Sequence, residues 1–220
     1  MGILTYATGN FVRLPKLLGL PARGGMIQVS SGQLEAVLQQ VEDVSRKAHD
    51  LVAGRTTAHL TTGLGSVSWS VTQCLDHLAR TTNAVLPAIS MAIARAPRLT
   101  TNRALRTGAL TRVLLRNLEP PYRLRFSVHS SVVPRQDNFR LAWGAFEGSQ
   151  NQLAWTIRCA AGLALDRVIV KSPVYARLRY NVYGALRMLA AHERRHLWQM
   201  EGILKNLDDA TEPDVPGRSS

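Results

Sequence analysis

Cysteine, acidic side chains and long apolar runs are scarce in this sequence, and each scarcity excludes a class of protein. The two cysteines, Cys74 and Cys159, stand far apart in apolar helical patterns, which excludes a disulfide framework and a cysteine-rich metal site. No apolar run approaches the roughly 18 to 20 residues that span a bilayer, so we predict no transmembrane helix. The cysteine usage fits a reducing compartment, and we expect a cytoplasmic protein.

The charge of the chain is one-sided, because 27 basic residues oppose 15 acidic ones and give a formal charge of +12. Ten arginines fall between Arg95 and Arg140, where the acids are Glu119 and Asp137. Such a block can meet an anionic partner, but no nucleic-acid recognition motif accompanies it. We therefore favour a solvated, arginine-rich loop over a specific nucleic-acid site, and expect at most weak electrostatic binding to nucleic acid.

Four long helices are predicted, because apolar residues recur at spacings of three and four. Ser70 and Gln73 form a capping box at the start of the second helix, and Pro87 predicts a kink or an early end within it. The fourth helix follows Ser172-Pro173. The predicted spans are about 31–53, 70–97, 137–162 and 174–206.

A long connector, 96–136, separates the second and third predicted helices. Residues 101–118 are loosely periodic and predict a short helix, and 124–128 alternate as the one strand candidate. A connector this long between helices is typical of a functional segment or a bundle crossover. We expect one all-α domain over 31–207, with a basic leader (1–30) and a disordered tail (208–220) outside the fold.

Two histidines occupy consecutive core positions of the fourth helix. Its apolar register, through Ala185 and Leu189, continues into His192 and His196. Residues four apart lie one turn apart on the same face, so both imidazoles can bind one metal ion. The alternative is a pair of ordinary core histidines, but each buried imidazole would then need its own hydrogen-bond partner. The spacing favours a metal site.

A metal ion needs a third protein ligand, and His77 is the best candidate because it lies on the inward stripe of the second helix. Three histidines leave one coordination position open, which is the pattern of reactive sites. The rivals are His49, His59 and His129, which we predict to be surface residues.

The residues 192–196 read His-Glu-Arg-Arg-His and match the HExxH motif of zinc metallopeptidases. No downstream third ligand and no substrate-aligning sheet are predicted, so this is the weaker hypothesis. Glu193 either touches a metal-bound water or pairs with an arginine on the surface, and we favour the surface. Gln150 and Gln199, at core positions, either orient metal ligands or substrate, or bond to each other or to the backbone; the sequence leaves this open.

Two motifs resemble those of the DinB/YfiT-like superfamily. Trp69-Ser70-Val71 followed by Cys74-Leu75-Asp76-His77-Leu78 resembles its "WS…HL" motif, and 191–199 resembles its C-terminal "HExRHxxQ" motif. The resemblance spans about 31–207. It implies a DinB-like four-helix bundle of up-down-down-up type, with a long crossover between helices 2 and 3. It also implies one divalent metal ion, most often Zn²⁺ or Ni²⁺, on His77, His192 and His196.

The resemblance carries an expectation of function as well. Characterised relatives include thiol-dependent S-transferases and a mycothiol-dependent isomerase. We therefore expect a metal-dependent transferase or hydrolase, in which the metal activates a low-molecular-weight thiol or a water for attack on a small electrophile. The alternative is a non-catalytic or stress-associated metal-binding bundle. The expected partners are a small-molecule substrate and a second copy of the chain as a homodimer, with no membrane.

Overall fold

The protein is all-α, as predicted. The computed structural model describes residues 28–65, 68–120, 127–175 and 177–211. The helices are α1 (Gln28–Val52), α2 (Thr57–Thr61), α3 (Val71–Ile93), α4 (Ala109–Leu118), α5 (Phe139–Cys159) and α6 (Val182–Thr211), and Ser130–Val132 form a 3₁₀ turn. Strands β1 (Ile169–Lys171) and β2 (Arg179–Asn181) pair antiparallel. Within the described ranges, no helix is long and apolar enough to cross a membrane.

The four long helices, α1, α3, α5 and α6, enclose two apolar clusters, one toward each end. Leu86, Leu153 and Leu186 belong to the first cluster, and Leu75 and Phe146 to the second. On α6 the first cluster ends at Ala190 and the second begins at Leu197. The segment between them is where the sequence places two histidines, so the candidate site lies between the two clusters.

The capping box predicted at the start of α3 is present. Ser70 Oγ accepts from the N–H of Gln73 at 3.2 Å, and Gln73 Oε1 accepts from the N–H of Ser70 at 3.1 Å. The helix continues through Pro87 and ends at Ile93, before Pro97. This fixed start positions the turn of α3 that carries His77.

The predicted start of the fourth long helix, directly after Ser172-Pro173, is wrong. Residues 169–171 and 179–181 form the β1–β2 hairpin, and α6 begins only at Val182. Ser172 Oγ accepts from the N–H groups of Val174 and Tyr175, which closes a turn. The helix cap is Asn181, whose Oδ1 accepts from the N–H of Gly184 at 2.8 Å.

The connector between α3 and α5 contains α4, which begins at Ala109, later than the predicted short helix. It packs on α6 where Gly184 has no side chain. A Cβ there would lie 2.9 Å from Thr111 Cγ2, so glycine permits the close approach. The strand candidate 124–128 falls mostly outside the described residues. The segments 1–27 and 212–220 lie wholly outside them. Helix α1 begins at Gln28, three residues before the predicted start, and α6 runs to Thr211.

Candidate metal centre

Three histidines meet between α3 and α6. His77 comes from the second turn of α3, and His192 and His196 lie on successive turns of α6. One potential ligand atom from each residue lies within 4.8 Å of those of the other two. The Nε2 atoms of His77 and His192 are 3.2 Å apart. The structure therefore brings together the three residues that the sequence selected.

The separation of these nitrogen atoms fits a shared ion. Two imidazole nitrogens at 2.0–2.1 Å from a tetrahedral metal ion lie about 3.3 Å apart, close to the 3.2 Å between His77 Nε2 and His192 Nε2. A Cys or carboxylate ligand is not needed to complete the set, because three imidazoles suffice for Zn²⁺ and similar cations. The donor set and its spacing thus suit a divalent metal ion.

Hydrogen bonds orient two of the three rings. His77 Nδ1 lies 2.7 Å from the backbone oxygen of Val132, and His196 Nδ1 lies 2.9 Å from Gln199 Oε1. Both oxygens can only accept, so each Nδ1 carries the proton and donates it. The Nε2 lone pairs of these rings are then available to the centre, which is the arrangement typical of metal-binding histidines. The sequence leaves two roles open for Gln199, and in the structure it has the first of them, which is to orient a candidate metal ligand.

Burial keeps the three rings neutral. It lowers the pKa of His77, lowers that of His192 to about 3, and lowers that of His196 well below its ordinary value. The indole of Trp69 covers one side of the cluster, with its centroid 4.9 Å from the His77 ring and 5.9 Å from the His196 ring. Neutral imidazole is the form that coordinates metal ions, so the rings are ready to bind at neutral pH.

The other histidines lie elsewhere. His49 is exposed and packs edge-on against Trp143, with 5.8 Å between ring centroids. His129 is exposed and caps the 3₁₀ turn through Nδ1. His59 is half-buried, 3.4 Å from Asp208. The surface prediction is confirmed for His49 and His129, whereas His59 is only partly exposed and lies against Asp208 near the end of α6.

Glu193 is the main correction, because the favoured surface position is wrong: the residue is fully buried. Its Oε1 accepts from Gln150 Nε2 at 2.8 Å and from Thr82 Oγ1 at 3.4 Å. Its Oε2 has no hydrogen-bond partner among the described residues. Burial raises the pKa of this carboxyl to about 7, against the opposing effect of those two hydrogen bonds. The side chain faces inward because α6 is surrounded by other helices and has little free surface at this turn.

Glu193 belongs to a polar layer that crosses the interior, formed by Ser45, Thr82, Gln150 and Glu193. Gln150 joins Glu193 to α1, since its Oε1 lies 3.5 Å from Ser45 Oγ. Each of the four long helices contributes one of these residues, and the layer separates the two apolar clusters. Such buried groups fix the rotation of the helices that carry them, because any other rotation would leave them unpaired.

Asp76, next to His77, ties the connector to α3. Its Oδ2 accepts from Arg80 Nε at 2.7 Å and from the backbone N–H groups of Arg135 and Gln136, at 2.7 and 3.2 Å. These bonds hold the segment just after the 3₁₀ turn, whose Val132 carbonyl orients His77. The sequence motif includes Asp76, but no role for it is predicted there. The available signals were Arg80, four residues further along the helix, and the apolar stripe around Asp76.

The two arginines between the candidate ligands have different surroundings. Arg194 pairs with Glu119, at the end of α4, and donates to Gln40 on α1 at 2.8 Å. Arg195 is 8% exposed and donates to the backbone oxygen of Asn117 at 3.2 Å. Both contacts attach the end of α4 to the turn of α6 that carries the histidines.

An all-α fold with a cluster of three inward-facing histidines, two of them buried and one half-buried, defines a class of candidate metal-binding helical proteins. Comparison with family models places it more closely: the model of the DinB superfamily matches residues 40–200, which include all three histidines. The chain belongs to the DinB superfamily. No curated protein and no solved structure matched the chain in the corresponding searches.

Proposed function

We propose that the protein binds one divalent metal ion through His77, His192 and His196. The observation that carries this proposal is the convergence of three imidazoles, of which the two buried ones, His77 and His196, use their Nδ1 protons on protein oxygens. Buried acceptors that face one another without a proton or cation between them are costly. One hydrogen bond between His77 and His192 would satisfy a single pair and leave His196 unmatched. A cation satisfies all three, and nitrogen donors favour Zn²⁺ or Ni²⁺.

The proposal includes the up-down-down-up arrangement of a four-helix bundle. Contacts between successive positions support α1 running parallel to α6, and α1 and α6 running antiparallel to α5 and α3. The supporting pairs are Gln40–Arg194 and Arg55–Asp208 for α1 with α6, Glu42–Arg158 and Ser45–Gln150 for α1 with α5, and Trp69–His196 and Thr82–Glu193 for α3 with α6. In this arrangement α3 ends and α5 begins at opposite ends of the bundle, so the connector between them returns along its length, with α4 packed on α6.

Elemental analysis of protein purified without a histidine tag tests the metal site. We expect a stoichiometric divalent metal in the wild type and its loss in His77→Ala, His192→Ala and His196→Ala. His49→Ala is the matched control, because it removes an exposed imidazole that faces Trp143. Full metal retention in His192→Ala would overturn the proposal.

We further propose that the site serves a transferase that joins a low-molecular-weight thiol to a small electrophile. A divalent cation held by three imidazoles leaves a position open and lowers the pKa of a thiol that binds there. The chain's own part is to keep the rings neutral by burial and to shield the cluster with Trp69. The reaction class is the one that the resemblance of the two sequence motifs implies.

A panel of mycothiol, bacillithiol, glutathione and coenzyme A, assayed with monochlorobimane, tests the transferase proposal. We expect conjugation that depends on metal and disappears in His77→Ala. His49→Ala should conjugate at the wild-type rate. If metal-replete protein conjugates none of these thiols, the non-catalytic metal-binding alternative takes the place of the transferase.

The metallopeptidase alternative is not favoured by the position of Glu193. In an HExxH enzyme this glutamate must reach the water that attacks the peptide. Here one carboxyl oxygen is bonded to Gln150 and Thr82, on the interior side of α6. Cleavage of generic peptides by metal-replete protein, abolished by Glu193→Gln and by a chelator, would establish the peptidase instead.

A further inference from the structure

A cleft lies between α1 and α5, on the side of the protein away from the three histidines. Both α1 and α3 pack against α5 and α6, so the junction of α1 with α5 is opposite the junction of α3 with α6. The cleft has a volume of about 310 Å³, within the range of small-molecule sites. Side chains from successive turns of both helices line it, among them Ser45, Asp50, Trp143, Glu147 and Gln150. The cleft is therefore separate from the candidate metal centre.

A buried amide at the wall of the cleft has a poorly satisfied acceptor. Gln150 is 4% exposed, and its Nε2 donates to Glu193 Oε1 at 2.8 Å, which leaves its Oε1 facing Ser45. The Ser45 hydroxyl has one proton, and the Val41 carbonyl, at 3.2 Å, is nearer to it than Gln150 Oε1, at 3.5 Å. A buried acceptor without a strong donor is costly, so a ligand that brings a donor to Gln150 Oε1 is stabilised.

Two carboxylates stand at the exposed rim of the cleft, Asp50 on α1 and Glu147 on α5. Within the part of the chain that the structure describes, neither has a hydrogen bond or an ion pair. The guanidinium on the cleft wall, that of Arg46, is matched by Asp43 at 2.7 Å. The chain as a whole carries a charge of +12, but charges more than about 8 Å away are largely screened at physiological salt. The local excess of carboxylate therefore favours a cation.

Aromatic side chains also line the cleft. Trp143 is half-buried and Phe146 is fully buried, with 5.8 Å between their ring centroids. Such rings bury the apolar part of a ligand and attract a cation that lies over a ring face. The carboxylates, the rings and the amide oxygen together suit a cation that has hydrogen-bond donors and an apolar body.

We propose that the cleft between α1 and α5 binds a small organic primary amine in its ammonium form. An N–H group of the ammonium donates to Gln150 Oε1, and Asp50 and Glu147 compensate its charge. Trp143 and Phe146 contact the apolar body of the amine. A neutral alcohol lacks the charge and a quaternary ammonium lacks the donor, so neither meets both requirements. The proposal does not depend on the metal site.

Three matched probes test the proposal: phenethylamine, 2-phenylethanol and the trimethylammonium analogue of phenethylamine. Each is titrated into the full chain as purified, with calorimetry to measure the dissociation constant and amide NMR to locate the probe. The variants are Asp50→Asn, Glu147→Gln and Trp143→Leu. Glu35→Gln is the matched control, because it removes an exposed carboxylate from α1 about four turns away from Asp50.

We expect saturable binding of phenethylamine to the wild type and to Glu35→Gln, with amide shifts centred on residues 45–50 and 143–151. Asp50→Asn and Glu147→Gln should each weaken this binding by about two- to fivefold, the range for exposed ion pairs. Trp143→Leu should weaken it by about tenfold. The alcohol and the trimethylammonium analogue should bind at least about tenfold more weakly than the amine.

A wild type that binds no phenethylamine at millimolar concentration overturns the proposal, and so does binding that is unchanged in both carboxylate variants. Equal affinity for the amine and the alcohol refutes the need for charge, and equal affinity for the amine and its trimethylammonium analogue refutes the role of Gln150. Amide shifts centred on the histidines place the amine in the other site and also overturn the proposal. If circular dichroism shows that Trp143→Leu is unfolded, the two carboxylate variants decide, because both change exposed side chains.

Discussion

Replacing Asp76 with asparagine is the sharpest test of how the connector supports the metal centre. The substitution keeps the size of the side chain and removes its charge. Three donors share Asp76 Oδ2, two of them at 2.7 Å, and the residue is 5% exposed. A hydrogen bond to a charged acceptor contributes about 1.5–3 kcal/mol and a neutral one about 0.5–1.5 kcal/mol. The amide oxygen can still accept, so losing about 1 kcal/mol from each short bond lowers the free energy of unfolding by about 2 kcal/mol.

The same substitution should weaken metal binding. Loosening the segment that follows the 3₁₀ turn moves the Val132 carbonyl away from His77 Nδ1, now 2.7 Å apart. Changes to groups that orient a ligating histidine cost about 10- to 100-fold in metal affinity. Urea unfolding of metal-free protein measures the stability, and competition with a chromophoric chelator measures the affinity.

Asp43→Asn provides the control for this experiment. Asp43 also pairs with an arginine on its own helix, Arg46 at 2.7 Å, but the pair is exposed to solvent. We expect neither stability nor metal affinity to change in this variant, because exposed ion pairs contribute little. If Asp76→Asn loses stability while its metal affinity stays at the wild-type value, the connector does not orient His77. If its stability is also unchanged, the hydrogen bonds to Asp76 do not hold the segment.

Three further predictions use other features of the molecule. Burial lowers the pKa of all three clustered histidines, so at mildly acidic pH the unfolded chain binds protons that the folded chain does not bind. The free energy of unfolding of the metal-free protein, measured by urea unfolding, should therefore fall as the pH drops below about 6.5. A pH-independent stability from 7 to 5 would contradict this. A thiol reagent should modify exposed Cys159 in the native protein and buried Cys74 only after denaturation; native modification of both would refute the position of Cys74 in the core. Nucleic-acid binding by the arginine-rich connector should be independent of base sequence and fall steeply between about 50 and 200 mM salt, and a salt-resistant, sequence-selective complex would refute it.

Local signals predicted the features that depend on a single helix. The capping box at Ser70 and Gln73 and the common face of His192 and His196 follow from spacing alone, because helical geometry fixes them without reference to neighbours. The choice of His77 needed one further step, the assumption that the inward stripes of two helices face each other. That assumption holds because the histidines interrupt the apolar stripes of α3 and α6 at the same level along the two helices.

Features that depend on several segments at once were missed or misjudged. The apolar register of α6 extends backward across β2 to Leu178, so periodicity could not reveal that the helix begins after Asn181 and not after Pro173. The sequence favours the surface for Glu193, because a charged residue beside a core position usually faces solvent. Its burial depends on Gln150, 43 residues earlier in the chain, being present to donate to it. No local pattern carries that information.

The five residues from His192 to His196 show how packing assigns different roles within one motif. The histidines face His77 on α3, Glu193 faces Gln150 on α5, Arg194 contacts α1 and Glu119, and Arg195 contacts the end of α4. Because each residue of a helix is rotated by about 100° from the one before it, the side chains of this motif point toward four different neighbouring segments. In a metallopeptidase the same spacing leaves the glutamate beside the open face of the metal. Here that direction is closed by α5, and the charged residue beside the ligands on the α4 side is an arginine. The same spacing therefore supplies two candidate metal ligands here, but Glu193 is engaged by Gln150 and Thr82 and does not lie where a peptidase needs its carboxylate.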